Sequence, residues 1–313
     1  MTATGRPHLA HAKASATIVR SLATALIALL FVQGLPVSNA VAAVQVVRDL
    51  TFSKADTTDL KCDLYLPDST GTAEEPAPTP VVVVIHGGAW RSGSKWLIGS
   101  YGRTLANNGI AAVVINYRLA PQYPFPAQVD DSRDALVWIA KHAKEYHFDT
   151  KRIGVMGYSA GGHLACMLGT LANEDQKTRL ATSNWDAKDP RWQELPSIAA
   201  VVAGGAPCDF RNLPEDNTLL AYFLGGSRRE FPAAYEAASP AVHASKGDPP
   251  TLFIHGSTDL IVPIASAQSL HQAFQKVGVP SEFLTIEGSG HIQTFMDAQT
   301  SKAATDFFKK HLL

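Results

Sequence analysis

From residue 78 onward, apolar runs and amphipathic stretches take turns along the chain. Residues 81–85 are a continuous β-branched run closed by glycines, the pattern of a strand buried on both faces. Runs at 110–116, 153–158, 198–203, 251–255 and 281–286 repeat it. Between them, 130–146, 160–171, 265–277 and a terminal stretch over 295–311 carry a helical period. This alternation predicts a mostly parallel sheet flanked by helices, an α/β architecture. Ahead of it, 44–52 and 61–66 show the two-residue alternation of an antiparallel strand pair, joined to the rest by a polar, Pro-rich linker at 67–80. In the helix at 130–146, Ala135, Trp138 and Ile139 share a face, while Asp130, Asp131 and Asp134 are expected in the first turn, where the helix dipole favours anions. Two stretches with neither period, 173–195 and 207–240, are expected to leave the sheet as surface insertions that cap a site at the strand ends.

Residues 1–43 differ from the remainder. They hold Arg6, Lys13 and Arg20 but no acid, then the apolar run 22–32, then the small-residue end Ala40, Val41, Ala42. A bilayer span needs about 20 apolar residues, so the run is too short to cross. The pattern predicts a signal peptide cleaved near Ala42 or Ala43, followed by a single catalytic domain over 44–313 in a secreted or periplasmic protein. With the first cysteine at Cys62, this segment offers no acceptor for a lipid anchor. The formal charge of −1 becomes −4 without the three leader cations, which disfavours nucleic acid or an anionic membrane as partner. Cys62, Cys166 and Cys208 allow at most one bridge and have no C-x-x-C spacing, and Cys166 reads as a small core residue.

The candidate chemistry starts at Gly157-Tyr158-Ser159-Ala160-Gly161, a G-x-S-x-G pentapeptide that sets a serine on a sharp strand-to-helix turn. By composition such a pentapeptide arises roughly once in ten chains of this length, so context decides. Here an apolar strand leads in and a small-residue helical run leads out. A serine hydroxyl is a weak nucleophile and needs a base, which in turn needs an orienting acid. Asp259, in the turn after the strand at 251–255, and His291, after that at 281–286, occur in the order expected for acid and base, on the same rim as Ser159. Singly, each reads as an ordinary turn residue; as an ordered set they read as a triad. Asp297 is an alternative carboxylate. Attack on a carbonyl builds negative charge on oxygen, which backbone N–H groups must stabilise. Gly87 or Gly88, together with Ala160, are the candidate donors. Trp90 and Tyr158 are the candidate substrate-contacting side chains, and Trp90 reads equally as packing for its loop. Arg118 with Asp130 or Asp131 reads as a structural ion pair, and His163 as a packed helix residue. No metal or nucleotide motif is present, and no cofactor is expected.

Six segments carry a family resemblance over residues 78–312: HGGAW at 86–90, NYRLAP at 116–121, DDSRDA at 130–135, GYSAGGHLA at 157–165, HGSTDLIVP at 255–263 and GSGH at 288–291. They resemble the HGG-bearing α/β-hydrolases related to hormone-sensitive lipase, and bacterial carboxylesterases similar to feruloyl and acetylxylan esterases. The resemblance implies an α/β-hydrolase fold and a serine esterase acting through an acyl-enzyme on a small-molecule or polysaccharide-linked ester. Ala89 departs from the usual third glycine and resembles an HGG-x-W subgroup that includes kynurenine formamidases, so an amidase or formamidase is the alternative. A non-catalytic binding protein on this fold is the competitor from another class. Short acyl groups are expected, because the charged stretch 173–195 makes a poor lid for lipid and because Trp90 could shorten the pocket. The alcohol side and the oligomeric state stay open.

Overall fold

The computed structural model describes residues 44–68 and 77–313. The expected leader at 1–43 and the middle of the linker lie outside the described residues. Eight strands form one sheet: β1 (Gln45–Ala55), β2 (Thr58–Leu66), β3 (Thr79–Ile85), β4 (Ala111–Ile115), β5 (Phe148–Tyr158), β6 (Ala200–Gly204), β7 (Thr251–Gly256) and β8 (Ser281–Ile286). Their order across the sheet is β1-β2-β4-β3-β5-β6-β7-β8. The β1–β2 and β2–β4 pairs are antiparallel and every later pair is parallel, as the crossover helices require.

The central strands are apolar at every position because both faces are covered. Val81, Val83 and Ile85 pack with α2 (Ala127–Lys141) and α3 (Ala160–Thr170). Val82 and Val84 pack on the other face with α1 (Gly99–Ala106) and α5 (Ala298–Leu312). α4 (Ile264–Val277) buries Ala267, Leu270 and Phe274 against Phe253 of β7. Helix α1 was not among the expected elements: glycines at 99 and 102 lower its helical propensity, although Tyr101, Leu105 and Ala106 give it a buried face. The terminal helix divides at Asp297, whose carboxylate accepts the Gln299 N–H and caps α5.

α2 corrects one expectation. It starts at Ala127, directly after Pro126, so Asp130 falls in its fourth position and Asp131 and Asp134 lie beyond the first turn. All three are buried and held by side-chain partners rather than by the dipole. Arg118 reaches Asp131 at 2.7 Å, which settles the ion pair left open between two acids. Burial pushes Asp131 up to about 6 in spite of that cation. Asp134 accepts Ser53 Oγ at 2.7 Å and Arg191 at 2.8 Å, and Asp130 accepts Ser183 Oγ at 2.6 Å.

Candidate active site

β5 runs between β3 and β6 at the middle of the sheet and ends at Tyr158, so the next residue stands on the central rim. That residue is Ser159, with φ 56° and ψ −122°, and α3 begins immediately after it. So tight a turn leaves no room beside it: a Cβ at Gly157 would run into the Gly161 carbonyl, and one at Gly161 into that of Ile85. The Ser159 N–H donates to the Gly204 oxygen at 2.8 Å, which anchors the turn on β6.

The two later strands bring Asp259 and His291 together. In the loop after β7, Asp259 Oδ1 accepts the N–H groups of Ile261 and Val262, each at 2.9 Å. Its Oδ2 lies 2.6 Å from His291 Nδ1. This pairing leaves the His291 Nε2 side for another partner. His255 of β7 backs the same loop, with Nε2 2.8 Å from the Val262 oxygen, and burial lowers its pKa. His291 and Ser159 both border the backbone at 204–205: a Cβ at Gly205 would fall 2.9 Å from His291 Cε1, and Gly204 receives the Ser159 amide. Asp297, spent as a cap, stands apart from this cluster in its bonding.

Tyr158 takes a different place from the one expected. Its hydroxyl donates to the His291 carbonyl at 2.6 Å and its ring packs on the imidazole at 5.2 Å, on the sheet side of the loop. It does not line the cavity beside Ser159, so it holds the His291 loop rather than touching a ligand there.

The turn after β3 approaches Ser159 from the other side. A Cβ at Gly87 would come within 3.1 Å of Ser159 Cβ, so the glycine backbone passes directly against the serine. Gly88, Ala89 and Trp90 all have positive φ, at 121°, 51° and 56°. Ala160, the first residue of α3, carries one of the N–H groups that a helix leaves without an internal acceptor. Gly87 and Ala160 thus both border the serine, while Gly88, next in the turn, faces Ser92. His86 itself is structural: it stacks on Tyr117 at 4.3 Å, and burial takes its pKa down to about 4. Trp90 packs its loop onto the core, one of the two readings it allowed. Its ring stacks on Phe223 at 4.3 Å, and it also lines the cavity.

That cavity measures about 470 Å³, within the range of small-molecule sites. Ser159, Ala160 and Trp90 form one end. Phe210, Leu213, Leu219 and Leu220 supply apolar wall from the insertion 207–240, and Ile261 and Val262 from the acid loop. Besides Ser159, its polar residues are Asp209, Asn212, Tyr222, Ser266 and Ser269. These wall residues escaped sequence reading; Leu213, Leu219, Leu220, Tyr222 and Phe223, set among charges, were the available signal. The stretch 173–195 contributes nothing to the lining, which removes the ground on which its charges argued for short acyl chains. It forms two short helices, Gln176–Ala181 and Arg191–Glu194, and its residues bond α2 instead. Cys166 Sγ on α3 and Cys208 Sγ beside the cavity are buried free thiols 3.8 Å apart. Among the described residues no cluster of three metal-ligating side chains occurs, and no helix is long and apolar enough to cross a membrane.

The chain is similar to known proteins in sequence and in fold. Esterase LipC of Mycobacterium tuberculosis is 30% identical over 236 residues, 72% of this chain and 56% of the relative. The chain spans about half the length of the curated relatives it matches. A solved structure titled as a truncated carbohydrate esterase from gut microbiota superposes with a TM-score of 0.73 at 25% identity, over 87% of this chain and 97% of that one. A bifunctional GH43-CE protein of Bacteroides eggerthii gives 0.72 at 29% identity, over 85% of this chain and 35% of that one. The family model described as BD-FAE matches residues 62–274. Because that match takes in more than half of the chain, the protein belongs to the BD-FAE family and has the α/β-hydrolase fold.

Proposed function

We propose that the protein is a serine carboxylesterase, with Ser159 as nucleophile, His291 as general base and Asp259 as its orienting acid. The observation that carries the reading is the 2.6 Å contact from Asp259 to His291 Nδ1, on the rim where Ser159 sits in a strained turn beside a cavity. In this mechanism His291 Nε2 takes the Ser159 proton as Oγ attacks the ester carbonyl. The Ala160 N–H and those of Gly87 or Gly88 stabilise the oxyanion. Collapse of the tetrahedral intermediate breaks the bond to the alcohol oxygen, to which His291 returns the proton. Water, deprotonated by His291, then attacks the acyl-enzyme and releases the acid.

The substrate in this reading is a carboxylic ester with a short acyl group, whose apolar portion occupies the cavity. The apolar wall, with the Trp90 ring among its lining, supports this. The relatives' names, an esterase and carbohydrate esterases, support an ester and make a sugar-linked alcohol the first class to assay. The test is Ser159→Ala in purified, folded protein, measured on aryl esters of graded chain length. The variant loses kcat by about six orders of magnitude and is not labelled by a fluorophosphonate that labels the parent. Retained turnover in Ser159→Ala, or faster cleavage of an anilide than of the matched ester, overturns the reading.

A further inference from the structure

Three consecutive residues at positive φ, two of them not glycine, form a turn that persists only if its surroundings hold it. Most of the restraints act on backbone. The Gly88 oxygen accepts the N–H groups of Arg91 and Ser92, the Trp90 oxygen accepts that of Ala120, and the Ala89 oxygen accepts the Tyr222 hydroxyl at 2.9 Å. None of these comes from α3. One side-chain bond does: Trp90 Nε1–H donates to His163 Nδ1 at 3.1 Å. An indole N–H can only donate, so Nδ1 is the bare nitrogen and Nε2 carries the proton. That proton goes to the Ala238 oxygen at 2.7 Å. The imidazole is wholly buried and has both nitrogens used. Burial holds its pKa down to about 4, which keeps the accepting form at neutral pH. His163 sits one turn into α3, where its own N–H donates to the Ser159 carbonyl at 3.0 Å.

We propose that His163 is a positioning residue for the oxyanion hole, setting the separation between its two carriers through the Trp90 indole. One carrier is the turn that bears Gly87 and Gly88; the other is α3, which bears Ala160. The role rests on the esterase reading given above. Donors on separate elements must converge within about 3 Å of one oxygen, and the charge they meet exists only after attack. A lateral slip of the turn against α3 therefore costs the transition state more than the bound ester. Phe223 and Phe210 also pack on Trp90, but ring contacts have no preferred donor direction and tolerate sliding. The hydrogen bond is directional and does not.

The test uses the full chain with His163→Leu, His163→Asn, whose amide oxygen can take the place of Nδ1, and Trp90→Phe, which keeps a ring and removes the donor. Each is assayed for kcat and KM on an aryl ester and for binding of a trifluoromethyl ketone, which forms a serine-bound oxyanion, beside the matched methyl ketone. His163→Leu lowers kcat by roughly 10- to 100-fold, with KM within about threefold, and weakens the trifluoromethyl ketone by the same factor as kcat. Methyl ketone binding stays level, and His163→Asn recovers most of the loss. The double variant with Trp90→Phe loses no more than the worse single one, because both remove the same bond. Wild-type kcat and trifluoromethyl ketone affinity in His163→Leu, additive losses, or equal weakening of both ketones overturns the role. Should His163→Leu not fold, Trp90→Phe decides by the same readouts. If a fluorophosphonate fails to label Ser159 in the parent, the esterase reading falls and this role with it. If labelling succeeds while the variants match the parent, only the positioning role falls.

Discussion

The two long insertions look alike in sequence and are used in opposite ways. Residues 173–195 are laid down on α2 by charge. Arg133 donates to the Thr182 oxygen at 2.7 Å, Asp130 accepts the Asn184 amide at 2.7 Å, Arg191 joins Asp134, and its guanidinium lies 4.1 Å from the Trp185 ring centre. Residues 207–240 are laid down by apolar contact. Phe223 stacks on Trp90, Tyr235 is buried, and Leu213, Leu219 and Leu220 are left to form a wall. Both segments carry many charges, so average polarity does not distinguish them. What differs is where particular charges end: Arg191 of the first insertion meets buried Asp134 of α2, whereas Asp216 and Arg229 of the second pair with each other in solvent. The first arrangement ties the insertion to α2, and the second frees apolar side chains to line the cavity.

The sharpest way to break this contrast is to fill the wall. Leu220→Trp should cut kcat/KM for hexanoyl esters by about tenfold to hundredfold while acetyl esters lose far less, the range that pocket contacts can discriminate. An unchanged chain-length profile would mean that the acyl group lies elsewhere. The stabilising insertion is probed by Arg133→Leu, which strands Asp130 in the interior. Removing one partner of a buried pair costs about 3 kcal/mol, so the urea midpoint should fall while kcat/KM at 25 °C holds. Lost turnover in still-folded protein would show that 173–195 matters to the site.

A smaller effect separates the two sides by pH. His163, on the cavity side, has its folded pKa lowered to about 4 from the ordinary 6.5, so the unfolded chain binds more protons between these values. Its contribution to stability is complete above about 6.5 and is lost as pH falls through 4. Asp131, beside the first insertion, behaves oppositely: raised to about 6, it contributes most below the ordinary 3.8 and loses that as pH rises through 6. The stability advantage of the parent over His163→Asn should therefore shrink between pH 7 and pH 4, measured by urea midpoints. A constant or widening difference would contradict the buried neutral imidazole.

Much of this layout was legible before any coordinates, and the reasons lie in particular residues. β-branched runs such as Val81–Ile85 admit few other conformations, and β8 has the bounds its pattern predicts. The chain order of Ser159, Asp259 and His291 is visible because each follows a strand. Tertiary partners were not visible. Tyr158 alternates onto the sheet face opposite Ser159, yet its neighbour in the motif made it look like a ligand contact. His163 read as packing, since the indole it accepts is 73 positions away in sequence. The acids of α2 read as dipole partners because their true partners, Ser53, Ser183 and Arg191, lie on other elements.

The strand order also bears on when the site comes into being. Ser159 stands at the middle of the sheet, but His291 follows β8, an edge strand, which among the described residues pairs with β7 alone. A nascent chain can fold its elbow, its glycine turn and the sheet face covered by α2 and α3 before the residues of β8 have emerged. It still lacks the imidazole. Edge elements also open more readily than central ones, so transient undocking of β8 and the loop after it disconnects the base while the remaining sheet stays closed. In the esterase reading, turnover then depends on this last strand, and a loss of activity on mild heating should precede the loss of the fold.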